Sequence, residues 1–171
     1  MNKKGLINGS IHDKLTPEGM EQAKTAAPAL PKTIKHIYSS SRNRALQTAN
    51  ILNEVLKVPL TSHDELSEVN FGLLEGTIFT DEFKKIHFSQ KYDWRPHGGE
   101  SLEDVKKRVL KILKEIKKNT QNDGETLIVT HGGIIRLLTL LETGQVMDEI
   151  QNASLHSFDI DKILKNNVQQ S

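Results

Sequence analysis

The stretch Leu127-Ile128-Val129-Thr130-His131-Gly132-Gly133-Ile134-Ile135-Arg136 decides the fold. Its first four residues are a continuous apolar run of strand length, with Gly124 before it and His131-Gly132-Gly133 after it. That pattern suits a strand buried on both faces of a parallel sheet. The apolar residues from Ile134 to Leu141 follow with helical character. A strand that turns into a helix through His-Gly-Gly leaves a histidine at the carboxyl end of the strand, beside glycines that permit close backbone approach. Ligands of open α/β sheets bind outside those carboxyl ends.

Upstream, Thr16-Pro17-Glu18-Gly19 reads as a helix start, with threonine as N-cap and proline in the first turn, and this helix ends before Pro31. Ile34 to Ser39 is a short apolar-rich strand feeding the serine cluster Ser39-Ser40-Ser41, and Arg44 to Leu52 carries helical periodicity up to Pro59. Residues 61 to 99, punctuated by Gly72, Gly76, Pro96, Gly98 and Gly99, read as loops with at most short helices. Ser101 and Asp104 give a capping-box-like start to a long lysine-rich helix with Val105, Val109, Ile112, Leu113 and Ile116 on one face, its charges read as a solvated face. Ser154 to Ile160 alternates and is expected to form a late strand. Strand–helix alternation predicts one three-layer α/β domain over residues 1–171, a mainly parallel sheet flanked by helices, with residues 127 to 130 as an inner strand.

The chain has 171 residues, 36% of them hydrophobic, enough for one compact core. Lys plus Arg number 23 against 22 Asp plus Glu, so no net field points to nucleic acid or a membrane, and any anion binding must be local. There are no cysteines, which removes disulfides, thiolate metal sites and a cysteine nucleophile. The basic start Met1-Asn2-Lys3-Lys4 is not followed by an apolar run, and a cytoplasmic location is expected.

Two stretches can carry chemistry. His131 sits at a strand end, where a lone histidine is more often hydrogen-bonded to backbone than catalytic. Arg44 lies just past the serine loop at the start of its helix, where a guanidinium and a positive helix end could both face an anion. Tyr38-Ser39-Ser40-Ser41-Arg42-Asn43-Arg44-Ala45-Leu46-Gln47-Thr48-Ala49 resembles the S-S-x-x-x-R-A-x-x-T-A block of the histidine phosphatases, the phosphoglycerate mutase-like group, and Leu127 to Arg136 resembles their V-[ST]-H-G-G-x-[IL]-R block. Between these, Leu66 to Gly76 is similar to L-x-E-x-x-[FYL]-G-x-W-E-G, with Leu74 in place of tryptophan. Pro96 to Ser101 is similar to P-x-G-E-S with an extra residue before the glycines. Asn2 to Gly19 is similar to N-x-x-G-R-x-x-G-x-x-D-x-P-L-T-x-x-G, with Leu6 for arginine and Lys14 for proline. Five blocks in order cover nearly the whole chain.

The resemblance implies a phosphohistidine mechanism that needs neither metal nor cofactor and acts on a small phosphorylated substrate or inorganic phosphate. His131 and Glu68 would be catalytic, Glu68 as the carboxylate that protonates the leaving oxygen, with Glu75 as its bland neighbour. Arg44 and Asn2 would bind phosphate, and Asn8, Gly9 and Gly133 would line the substrate. In the family a first, central strand ends in R-H-G-x-T-x-x-N and its histidine is the nucleophile. Aligned on Asn2, that motif falls before Met1, so neither the nucleophile nor that strand is in this sequence. The other histidines, His12, His36, His63, His87, His97 and His156, read as surface or capping residues, with His97 or His12 as the ones that could line the pocket mouth. The expected function is a phosphomonoester hydrolase when complete, crippled over these 171 residues. The alternatives are a non-catalytic phosphoester-binding or regulatory domain, or a mutase-type phosphotransferase. The last is disfavoured because residues 77 to 99 are short and hold Arg95 alone among arginines. Oligomeric state is not legible.

Overall fold

The computed structural model describes residues 5–9, 14–120, 124–147 and 150–168. Three parallel strands form the sheet: β1 (Ile34–Ser40), β2 (Leu60–His63) and β3 (Glu125–Val129), in the order β2-β1-β3. Helices α1 (Pro17–Ala26) and α2 (Asn43–Leu56) lie on one side. There Ala27, Ala45, Ala49 and Leu52 pack on Ile34, Ile37, Leu127 and Val129. On the other side Tyr38 and Ile128 meet the apolar faces of α4 (Leu102–Asn119), α5 (Gly132–Thr143) and α6 (Ile160–Val168). Strand alternation sends successive residues of β1 and β3 to opposite layers. Ala45 and Ala49 let α2 approach the sheet closely, and Val105, Val109, Ile112 and Ile116 recur at the helical spacing that keeps one face of α4 buried.

Helix starts follow the sequence. Thr16 caps α1 by accepting from Gly19 N–H, with Pro17 in its first turn. At α4, Ser101 Oγ accepts from Asp104 N–H at 3.2 Å while the Asp104 carboxylate accepts from Ser101 N–H at 3.0 Å, a reciprocal pair that satisfies two orphan donors.

Three expectations need correction. Residues 60–63 pair with β1 as a strand, although read as loop, because Ile37 N–H donates to Pro59 O and the ladder runs on to His63. Beyond His63 the segment to residue 99 is loop with short helices, as the sequence reads. Helix α3 (Asp81–Phe88) and the 3₁₀ turns 64–66, 72–74 and 95–97 are held by an aromatic subcore of Phe71, Phe83, His87, Tyr92 and Trp94. Ser154 to Asp159 forms no ladder. His156, Phe158 and Ile160 are half-buried while their neighbours are exposed, so the alternation is real. A strand needs a partner beside it, however, and Asp159 N–H turns instead to the Glu142 carboxylate at 2.7 Å, where Asp159 begins α6.

Nor, among the described residues, is β3 an inner strand. Glu125 N–H donates to Thr33 O, so Leu127 and Val129 direct their backbone groups to β1, and Thr126 and Ile128 direct theirs to the other edge. Among the described residues no strand pairs with that edge. Among them, too, no helix is long and apolar enough to cross a membrane.

Replacing Ser101 by Ala removes the cap of α4 while leaving its apolar face intact. Chemical denaturation should show a loss of about 1–2 kcal/mol with an unchanged m-value, as expected for a lost N-cap.

Candidate active site

The carboxyl ends of β1 and β3 lie side by side, with Ser39 opposite Val129, so the loops leaving them meet. His131 is the N-cap residue of α5 and is 7% exposed. Arg44, in the first turn of α2, donates from Nε to His131 Nδ1 at 3.3 Å and from one terminal nitrogen to Gly9 O at 2.9 Å. On the other side of the ring, His131 Nε2 lies 2.8 Å from Ser40 Oγ. Ser40 Oγ also accepts from Arg42 N–H at 3.2 Å and lies 3.4 Å from Ser67 Oγ.

This arrangement fixes the ring's protonation. Burial first, then the charges of Arg44, Arg42 and Arg108, hold His131 well below the ordinary histidine range. A neutral ring that accepts from Arg44 at Nδ1 must carry its hydrogen on Nε2, so His131 donates to Ser40. The Ser40 hydroxyl hydrogen is then left to point towards Ser67.

Glu68 approaches the same helix start. Its carboxylate accepts from Val69 N–H at 3.0 Å and from Gly133 N–H at 3.3 Å. A side chain on Gly133 would fall on that carboxylate and displace it, so glycine leaves room for Glu68 to lie against the start of α5. Arg108 of α4 holds the loop from behind, donating to the carbonyls of Glu65, Ser67 and Glu68 at 2.7, 2.8 and 3.2 Å and gripping Glu100 through two nitrogens. Glu75 plays a different part. Its carboxylate accepts from Gly9 N–H at 2.7 Å and from Phe71 N–H at 3.4 Å, tying the N-terminal segment to the 71–79 loop. That segment also docks through Ile7 N–H to Thr77 O and Phe79 N–H to Gly5 O, which sets Asn8 and Gly9 beside Arg44.

His131, Arg44, Glu68, Gly133, Gly9 and Asn8 are therefore brought to one end of the sheet. Asn2 lies outside the described residues, as does His12. His97 is exposed in the 95–97 turn, where its carbonyl packs over Gly72. His87 is not a surface residue. It is 4% exposed within the aromatic subcore, and burial together with the Arg136 charge pushes it down to about 3. Sequence reasoning passed over Ser40, Arg42 and Arg108. Arg108 looked like one more cation of a solvated helix face. Its signal was being the one arginine among lysines there, since a planar fork grips a carboxylate and several carbonyls where an ammonium cannot.

A family model for the histidine phosphatase superfamily (branch 1) matches residues 1–166. The chain belongs to the histidine phosphatase superfamily. It is 33% identical over 149 residues to the 2,3-bisphosphoglycerate-dependent phosphoglycerate mutase of Cytophaga hutchinsonii, covering 81% of this chain and 70% of that one. It is 30% identical over 171 residues to the metal-independent phosphoserine phosphatase of Arabidopsis thaliana, covering 91% and 69%. Among solved structures, the mycobacterial glucosyl-3-phosphoglycerate phosphatase in complex with VO3 superposes with a TM-score of 0.73 at 26% identity, over 83% of this chain and 76% of that one. Its relatives thus include proteins named as phosphatases and one named as a mutase.

His131 and His87 are neutral when folded and bind a proton in the unfolded chain below its ordinary value of 6.5. In that window unfolding takes up protons, so stability is fully present above pH 6.5 and falls as pH falls, by about 1.4 kcal/mol per pH unit for each histidine. Denaturation from pH 6.5 to pH 5 should show a slope of at least two protons, His36 adding in the same direction, and His87→Phe should lower that slope by about one proton.

Proposed function

We propose that this chain forms the phosphoryl-binding body of a metal-independent phosphomonoesterase, completed by a strand whose R-H-G histidine accepts the phosphoryl group. The observation that supports this most is the convergence of Arg44, His131 and Glu68 on the start of α5, at the carboxyl end of a strand whose far edge has no ladder among the described residues. A strand on that edge would run beside β3 and deliver its terminal histidine next to His131. Histidine attack on the phosphorus expels the alcohol and leaves phosphohistidine, which water then cleaves to inorganic phosphate.

Each residue contributes through its position. The Arg44 guanidinium stabilises charge that develops on the phosphoryl oxygens. Both nitrogens of the His131 ring are occupied by protein groups in this structure, so the ring reaches an anion when Arg44 transfers its grip from Nδ1 to the phosphoryl group. The incoming negative charge then favours a proton on Nδ1, which donates to a phosphoryl oxygen. Glu68, with its carboxylate located by two backbone amides, delivers a proton to the leaving oxygen and later takes one from the attacking water. Asn8, Gly9 and the Gly133 backbone border the space left for the rest of the substrate. The short 77–99 segment offers one exposed arginine, Arg95, already paired with Asp93, which favours hydrolysis over a mutase that must retain and rephosphorylate its product.

The 171-residue chain should bind phosphate or vanadate yet hydrolyse an activated aryl phosphate at background rate. Turnover by this chain that His131→Ala abolishes would refute that. An N-terminal extension ending in a strand and R-H-G-x-T-x should create activity that survives chelators and passes through phosphohistidine detectable after acid-free quenching. In the extended protein Arg44→Ala should lower kcat/KM by about 10²–10³. Glu68→Gln should slow alkyl phosphates by about 10²–10⁴ and activated aryl phosphates much less, because good leaving groups need little proton donation. A folded, extended protein without phosphohistidine, or one that needs a divalent metal, would end this reading.

A further inference from the structure

Four of the five arginines have evident partners: Arg44 holds Gly9 O and His131, Arg95 holds Asp93, Arg108 holds Glu100 and three carbonyls, and Arg136 stacks on Phe88 at 4.1 Å. Arg42 differs. Its side chain is half-buried, its Nε is shielded from solvent without a hydrogen-bond partner, and no carboxylate among the described residues pairs with it. Asp64, carried on the adjoining turn, is engaged by the Ser41 hydroxyl instead. A guanidinium with its Nε shielded from water and no counter-ion beside it leaves a charged donor without a partner, which a bound anion would supply.

The location says which ligand. Arg42 N–H donates to Ser40 Oγ, the same oxygen that receives His131 Nε2, so the residue is rooted one hydrogen bond from the ring. Its charge is felt at His131 next after burial and Arg44. We propose that Arg42 is a further ligand of the bound phosphoryl group, its counter-ion being the phosphoryl dianion rather than any residue of the protein. This deepens the phosphatase reading and rests on it. Two guanidinium charges beside a neutral imidazole match a dianion, and the Arg42 fork can engage two of its oxygens while Arg44 engages the third.

The test uses the 171-residue chain and inorganic phosphate, with affinity from titration calorimetry and melting temperature with and without phosphate. Arg42→Met keeps the backbone bonds and the aliphatic bulk. It should weaken phosphate binding about tenfold or more while leaving the ligand-free melting temperature unchanged or raised, since it removes an unpaired charge. Arg42→Lys should recover part of the affinity. Arg44→Ala is the control for the pocket itself. If Arg44→Ala abolishes phosphate binding and Arg42→Met does not change it, the pocket stands and the role of Arg42 falls. A lower ligand-free melting temperature in Arg42→Met would make the residue structural and also overturn the proposal. Unchanged affinity for phosphate with weakened affinity for an anionic phosphoester would overturn it in favour of a subsite for a second substrate charge. Absence of phosphate binding by the unaltered chain would end both readings together.

Discussion

The hydrogen bonds that grip the His131 ring on both sides set the terms for the rest of the site. Arg44 can reach Nδ1 only from the first turn of α2, and Ser40 can reach Nε2 only from the end of β1. Ser40 ends, and Arg44 follows, the strand that pairs with β3 just before His131. Parallel pairing therefore does more than build a sheet here. It brings two loops, separated by 87 residues in sequence, to the same level. A one-residue slip in the β1–β3 register would turn Ser40 and His131 to opposite faces and dissolve the grip.

Much of the fold is legible because it depends on local rules. The apolar run at Leu127, the glycines after His131, the capping pair Ser101–Asp104 and the proline at the start of α1 each specify a conformation from a few adjacent residues. What was not legible depends on partners distant in sequence. Residues 60–63 become a strand because Pro59 and His63 find the outer edge of β1, while Ser154 to Asp159, with a better alternating pattern, finds no strand to pair with. The aromatic subcore joins residues 71 to 94, which read as loops with at most short helices and gave no sign that they share a core. Periodicity reports which side of an element is apolar, but it does not report whether a neighbour will be there.

The same division applies to the site. His131, Arg44 and Glu68 lie in family-like blocks with short spacing between informative residues, so the sequence could nominate them. Ser40 was visible only as one of three serines. Arg108 sits 40 residues from Glu68 and touches its carbonyl rather than its carboxylate. No motif logic pairs a helix cation with the carbonyls of a distant loop. The histidines show the limit from the other direction, since His87, within the polar stretch His87-Phe88-Ser89-Gln90-Lys91, is among the more buried side chains.

The arrangement around Glu68 carries one more step. Its carboxylate is located by backbone amides on its own loop and at the start of α5, and the space it occupies exists because Gly133 has no side chain. The loop in turn is held by Arg108 through three carbonyls, with Glu100 neutralising the arginine and itself accepting from Asn70 N–H at 2.9 Å. Among the described residues Glu68 has no side-chain hydrogen-bond partner, and its placement depends on how α4 and α5 are held. Val105, Val109 and Ile112 of α4 and Ile134 and Leu137 of α5 are buried in the one core that holds both helices. A core substitution that moves α4 by a fraction of an ångström would shift the Arg108 collar and the Glu68 carboxylate together. Arg44 and His131, rooted in the strand pair, would stay where they are. On the proposed reading, phosphoryl binding would be tied to the sheet and proton transfer to the packing of the helices over it.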